Sequence, residues 1–297
     1  MALKIYQIKD GVYHIHESMD VFCSLVIGKK RALLIDTGYG FGNIKKTVSG
    51  LTKLPILVLN THGHLDHVQG NSAFKDVMIH PLDMALRKKH TSLQFRLVSW
   101  VLAKKQGASL SDISLLNHVK ADSSSVTTIN DGEQIDLGGV TLEIIWTAGH
   151  TMGSVCVLDK TNRILFSGDS FSSLVWLFLK EACDIPCYIK SVKKLLSRIA
   201  DFDEIISSHS AARFSASFLE RILHCAENIS PEKSTMYDSK IAGKALLYTE
   251  GLDRLEKRYG LKSFAEFMSI AKKLSAEEVA DLELCAIAYR PEQLTGC

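Results

Sequence analysis

An excess of charge of either sign is missing from this chain. Thirty-five Lys+Arg stand against 33 Asp+Glu, a formal net charge of +2, so global charge selects no polyanionic partner and nucleic acid is not expected. Long apolar runs are missing too. The longest, Leu174–Leu179, is far short of the ~20 residues a bilayer span needs, so neither a span nor a membrane partner is expected. There is no cysteine framework: the seven cysteines are odd in number, and the nearest pair, Cys183 and Cys187, is not a CxxC. That pattern reads as reduced thiols and a cytoplasmic address. The stretch Met1–Asp10 reaches an acidic residue before any apolar run, so no signal peptide is expected. No internal repeat is evident. What is present is ordinary for a globular protein: of 297 residues 46% are hydrophobic and 23% charged, enough apolar surface for a real core.

Short β-type runs punctuate the first half: Val12–His16, Phe22–Ile27, Ala32–Ile35 closed by Asp36-Thr37-Gly38, Pro55–Leu59 and Val77–Ile79. Residues 82–118 differ. Leu82, Ala85, Leu86, Leu93, Leu97, Val98, Val101 and Leu102 recur at helical spacing, and no acidic residue lies between Met84 and Ser111, which predicts a helical insertion. Its basic residues, Arg87, Lys88, Lys89, Arg96, Lys104 and Lys105, read as a solvated helix face, with a docking site for an anionic substrate as the alternative. Strands resume at Val140–Trp146, Ser154–Leu158, Arg163–Phe166 and Glu204–Ile206, with helices over 188–200 and 214–228. The last fifty residues read as helical. Ser263–Glu266 and Ser275–Glu278 both fit the S-x-x-E capping box, and Phe264, Phe267, Met268, Ala271 and Leu274 form one stripe. The stripe is expected to pack on the main domain; a homodimer contact or a pocket wall is the alternative. Two strand-rich blocks, each followed by helices, suggest two sheets packed face to face with helices outside.

The chemistry concentrates in Thr61-His-Gly-His-Leu-Asp-His67, directly after a buried apolar strand. His62 and His64 are two apart, so in an extended segment their side chains point the same way and can grip one ion, while Asp66 and His67 turn toward a neighbouring position. An imidazole-rich set with one carboxylate suits zinc best, and iron or manganese also fit. Three further donors each end a strand: His150 in Trp146–Gly153, Asp169 in Ile164–Asp169, and His209 after Glu204–Ile206. His14 and His16, on an early strand, read as surface or half-buried residues, His80 as structural, and His90, His118 and His224 sit in helical segments with no partner pattern.

These residues resemble the metallo-β-lactamase superfamily over about residues 2–228. Its H-x-H-x-D-H motif matches His62, His64, Asp66 and His67, and its downstream His, Asp and His match His150, Asp169 and His209. Its early Asp, a structural residue near the site, matches Asp36. The resemblance implies an αββα sandwich over 1–228 carrying the helical insertion at about 82–118, followed by a helical C-terminal extension over 229–297. It further implies a dinuclear site: His62, His64 and His150 on one ion, Asp66, His67 and His209 on the other, and Asp169 bridging. Ser207-Ser-His-Ser210 departs from the family's usual P-x-H-G context at the last ligand.

Two metals roughly 3.5–4 Å apart lower the pKa of a shared water from 15.7 toward 7, so the expected reaction is metal-hydroxide hydrolysis of a small-molecule ester, thioester or lactone, with Asp66 and Asp169 as catalytic carboxylates. The bridging Asp169 sets the chain apart from true β-lactamases, which lack that carboxylate. A phosphodiesterase or nuclease on the same site, and a metal-bound sensor without turnover, are the alternatives. The apolar segment Phe171–Leu179 directly after Asp169 reads equally as core or as a pocket wall.

Overall fold

The computed structural model describes residues 3–105, 118 and 122–295. It divides into two compact units, Met1–Trp146 with Gly153–Asn162, and Thr147–Met152 with Arg163–Cys297. In the first, a seven-stranded sheet runs in sequence order: β1 Lys4–Lys9, β2 Val12–Ser18, β3 Val21–Ile27, β4 Ala32–Ile35, β5 Ile56–Leu59, β6 Asp76–Ile79 and β7 Ser125–Thr128. β1 to β4 form an antiparallel meander, and β4 to β7 pair in parallel. β4 is buried throughout, as a run of Ala-Leu-Leu-Ile covered on both faces must be. Ile15, Cys23, Leu25, Leu34, Val58 and Val77 form its core with Ile44 and Val48 of helix α1, Ile44–Leu51. Strands β8 Gln134–Asp136, β9 Thr141–Trp146 and β10 Val155–Asp159 pair antiparallel in the same unit.

After β5 the chain makes one short turn of helix, α2 Leu65–Val68, and beyond β6 comes the predicted helical insertion, α3 Met84–His90 and α4 Leu93–Lys105. Residues 106–117 of that expectation lie outside the described residues. Lys88, Lys89, Lys104 and Lys105 of the insertion are exposed as its sequence reading expects, but the two arginines and the apolar residues depart from it. Arg87 and Arg96 are buried, whereas Leu82, Met84, Leu93, Leu97, Val98 and Val101 are exposed. Hydrogen bonds pull the polar residues in: Arg87 donates to Asp122 and Ser124, and Arg96 Nε and Nη1 donate to the carbonyls of Thr91 and His118 at 3.1 and 3.0 Å. Ser99 donates to Gln69 at 2.7 Å.

Burial holds the His118 imidazole, stacked on Phe41, down at a pKa of about 4, against about 6.5 in an unfolded chain. Because the folded value is the lower one, the neutral ring favours folding above pH 6.5, and that stability drains away as pH falls from 6.5 toward 4. Thermal midpoints between pH 7.5 and 4.5 are therefore expected to fall less steeply for His118→Gln than for the parent. Parallel curves would remove His118 from the acid limb.

The second unit contains β11 Ile164–Gly168, β12 Leu174–Trp176, helix α5 Ile185–Leu196, β13 Glu204–Ser207, β14 Arg213–Ser215 and helix α6 Phe218–Glu227. β11 lies parallel to β13, which pairs antiparallel with β14. The last seventy residues are not the helical extension expected from their sequence. They hold β15 Thr235–Asp238, β16 Lys244–Glu250 and β17 Cys285–Tyr289 besides helices α7 Leu252–Tyr259, α8 Phe264–Ile270 and α9 Ala276–Leu282. Both capping boxes form, at Ser263 with Glu266 and at Ser275 with Glu278. The strands were hidden because a five-residue apolar run such as Cys-Ala-Ile-Ala-Tyr has no period that separates it from a buried helix turn. They join β12 in a sheet ordered β12-β17-β16-β15, with β17 in its middle and buried throughout.

Phe264 and Phe267 pack with Phe178, Leu247, Leu255, Leu282 and Leu284, so the tail stripe is core; Met268 faces outward. Phe171, Val175, Leu177 and Phe178 are buried, which favours the core reading of that segment. Among the described residues no helix is long and apolar enough to cross a membrane, and the six described cysteines are free.

Candidate metal centre

In the first unit one buried carboxylate organises the histidine loop. β4 ends at Asp36, which adopts φ +61°, a left-handed conformation that Asp tolerates better than most residues. Its carboxylate accepts from Thr61 N, from Thr61 Oγ1 and from His67 Nδ1, each at 2.8 Å. A carboxylate only accepts, so His67 carries its proton on Nδ1 and Nε2 is the ring's basic nitrogen. Thr61 relays the same preference. Its hydroxyl proton is committed to Asp36, so its oxygen accepts from His62 Nδ1 at 3.1 Å, and His62 also keeps Nε2 basic.

The basic nitrogens lie close to other candidate donors of the loop. His62 Nε2 lies 3.0 Å from His64 Nδ1, and His67 Nε2 lies 3.8 Å from Asp66 Oδ2. Donors bound at 2.0–2.2 Å around a tetrahedral ion stand about 3.3–3.6 Å apart, so the first pair sits a little inside and the second a little outside the spacing of two ligands on one cation. The rings of His62 and His67 are 4.0 Å apart between centroids. All three histidines are buried.

The scaffold below the loop is polar and closed. Asn60 Nδ2 and Thr37 Oγ1 both donate to the carbonyl of His67 at 3.0 Å, and Asn71 Nδ2 returns a bond to Asn60 at 2.7 Å. From the other side, Asp83 accepts from Gly63 N at 2.7 Å and Gly153 N at 2.9 Å. A Cβ at residue 63 would stand 2.8 Å from Arg87 N and 3.0 Å from Asp83 O, which is why glycine separates the two ligands. His64 stacks on His90, and His90 on Phe95.

In the second unit the parallel register of β11 and β13 sets Gly168 opposite Ser207, so the residues that follow leave from adjacent strand tips. Gly168 turns the chain at φ +53°. Asp169 Oδ2 then lies 3.0 Å from His209 Nε2 and 3.4 Å from His150 Nε2. His150 Nδ1 donates to the Trp176 carbonyl at 2.8 Å, again leaving Nε2 as the basic nitrogen. One carboxylate oxygen thus faces two imidazole nitrogens, a donor set that fits a divalent cation on either side of it. The loop holding His150 is pinned by Ser191 Oγ on Ala148 O at 2.7 Å, and Gly149 is required because a Cβ there would come 2.6 Å from Tyr188 Cδ2.

The first unit therefore assembles His62, His64, Asp66 and His67, and the second His150, Asp169 and His209. Sequence reasoning missed Thr61 and Asp83. Thr61 had the signal of standing directly before His62; Asp83 had none, since only folding carries it to Gly63. The histidines outside the ligand pattern have structural partners. His14 is buried against Phe22 and bonded to Ser24 at 3.0 Å, not a surface residue, and His80 stacks on Trp146. His224 pairs with Glu250 at 2.7 Å.

The sequence profile of the metallo-β-lactamase superfamily matches residues 19–206, and the chain belongs to that superfamily. It is a superfamily of metallo-hydrolases, and membership implies divalent metal ions. Among individual proteins, the chain is 26% identical over 242 residues to the acyl-coenzyme A thioesterase MBLAC2 of Homo sapiens, covering 75% of this chain and 83% of that one. It is 30% identical over 150 residues to an uncharacterized protein of Mycobacterium tuberculosis, 47% of this chain and 62% of that one. The solved metallo-β-lactamase from Pontibacter korlensis superposes with a TM-score of 0.56 at 20% identity, over 77% of this chain and 100% of that one, which shows the fold.

Proposed function

We propose that the chain is a thioesterase acting on acyl-coenzyme A-type substrates through two divalent ions, zinc by donor chemistry. His62, His64 and His150 would hold one ion, Asp66, His67 and His209 would hold the other, and Asp169 would be shared by both. The carrying observation is the single Asp169 oxygen set 3.0 Å from His209 Nε2 and 3.4 Å from His150 Nε2. The likeness to an acyl-coenzyme A thioesterase over three quarters of the chain supports the substrate class.

When bound, such a pair supplies Lewis acidity and brings the pKa of a bound water from 15.7 toward 7. The chain's own work is to orient and to handle protons. Asp36 keeps His62 and His67 in the tautomer that presents Nε2, directly for one and through Thr61 for the other. The Trp176 carbonyl does the same for His150. Asp66 and Asp169 would bring the negative charge that balances two dications, and Asp66 or the ions would stabilise the departing group. A thiolate leaving group, with a parent pKa of about 8.5, asks little of that stabilisation.

The test is a panel of acyl-coenzyme A thioesters, carboxylic esters, lactones and phosphodiesters, run on metal-quantified protein with and without chelator. Thioester turnover at about two metals per chain, abolished by chelation and restored by zinc, is the expected result. Turnover confined to phosphodiesters, or two metals with no turnover on any substrate, would overturn the reading.

A further inference from the structure

The two insertion helices present their apolar side to solvent. On α4, Leu93, Leu97, Val98 and Val101 recur at helical spacing and are 41–57% exposed, while Arg96, Ser99 and Ala103 form the opposite, buried stripe. Leu82 and Met84, at the start of α3, extend the apolar surface at 53% and 42% exposure. Chance exposure of single apolar side chains is normal; six within one segment are a patch.

Its charge is of one sign. Lys88, Lys89, Lys104 and Lys105 are exposed around it, and no acidic residue occurs between Met84 and Ser111. Lys89 stands 5.4 Å over the Phe95 ring and Lys104 5.8 Å over that of Trp100, so cation and aromatic alternate at the edge of the patch. An exposed face that mixes aliphatic side chains with lysines and aromatic rings can seat its apolar groups at a lipid headgroup boundary while the ammonium groups stay in water. A second copy of this chain on the same patch would instead set lysines against lysines.

We propose that the outward face of α3 and α4 is a peripheral docking surface for anionic phospholipid bilayers. The absence of a membrane partner was expected from the lack of a spanning segment, and a surface that lies on a bilayer needs none. The apolar side chains enter the headgroup boundary while the lysines meet lipid phosphate and carboxylate, each contributing about fivefold in partitioning near an anionic leaflet. His90 and Phe95 connect the same helices to His64, so the docked face belongs to the element that roofs the histidine loop.

The experiment is co-sedimentation of the full, metal-quantified chain with vesicles of phosphatidylcholine alone and of phosphatidylcholine with phosphatidylserine. The chain is expected to bind the mixed vesicles at least tenfold better than the neutral ones and to be released by high salt. Two variants should each weaken binding tenfold or more with metal content unchanged: Leu93→Ser/Leu97→Ser/Val101→Ser, and Lys88→Gln/Lys89→Gln/Lys104→Gln/Lys105→Gln. The proposal is overturned if the parent ignores both vesicles, or if folded variants bind as the parent does. It is equally overturned if sedimentation equilibrium shows a dimer that the serine variant dissociates, or if that variant loses only long-chain thioester turnover while vesicles never bind. Vesicle binding is read without turnover, so it stands or falls apart from the thioesterase reading.

Discussion

Asp169→Asn is expected to lower turnover by 10²-fold or more while leaving the fold nearly intact. The amide preserves the shape of the side chain but removes the charge that, in the proposed centre, joins two dications. Changes one step further from a metal typically cost 10–100-fold in affinity or activity, so loss of a direct ligand should reach or exceed the top of that range. The amide is nearly isosteric with the carboxylate and stands at a strand tip, so thermal stability of the metal-free protein should change little. Elemental analysis is expected to show a drop from about two metals per chain. A variant that retains two metals and parental turnover would exclude Asp169 as the bridge.

Deleting residues 249–297 is expected to have the largest effect on stability. It removes β17, the buried middle strand that joins β12 to β16, together with Leu255, Phe264, Phe267, Leu282 and Leu284 of the second unit's core. Burial of each large apolar side chain contributes roughly 1.5–3 kcal/mol, and a whole domain is stable by only about 5–15 kcal/mol, so the shortened chain should be insoluble or unfolded in this unit. A point substitution makes the same test more finely. Ala286 N donates to Ser173 O at 2.8 Å from the centre of the sheet, and Ala286→Pro loses that bond and forces the ring into a central strand, a change worth about 3 kcal/mol or more by analogy with helix interiors. Circular dichroism melts that leave Ala286→Pro at the parental midpoint would show that β17 is dispensable.

The site feels this strand as well. Trp176 lies opposite Ala288 in the β12–β17 register, and its carbonyl takes the proton of His150 Nδ1. The tail holds no expected ligand, yet it fixes the carbonyl that orients one. Reduced metal content in Ala286→Pro would therefore be a consequence of the fold, and His150→Ala, which leaves β12 and β17 intact, should reproduce the metal loss without the stability loss.

What the sequence by itself determined was the fold class and a candidate set of donors. Three histidines and an aspartate in six residues after a buried strand, with His150, Asp169 and His209 each at a strand exit, define a metal-ligand pattern whatever else the chain does, because ligand chemistry depends on residue type and local spacing. The insertion helices and both capping boxes were legible for the same reason: capping and helical periodicity act within a few residues. Only the tertiary structure decided which face of the insertion is buried, that the tail contributes three strands, and how the tautomers are set. Each of these depends on partners far away in sequence. Arg96 is drawn inward by the carbonyl of His118, β17 exists because β12 and β16 flank it, and Asp36 reaches His67 across thirty-one positions. Buried polar groups and central strands satisfy their hydrogen bonds wherever the fold brings a partner, and no local pattern records where that partner will be.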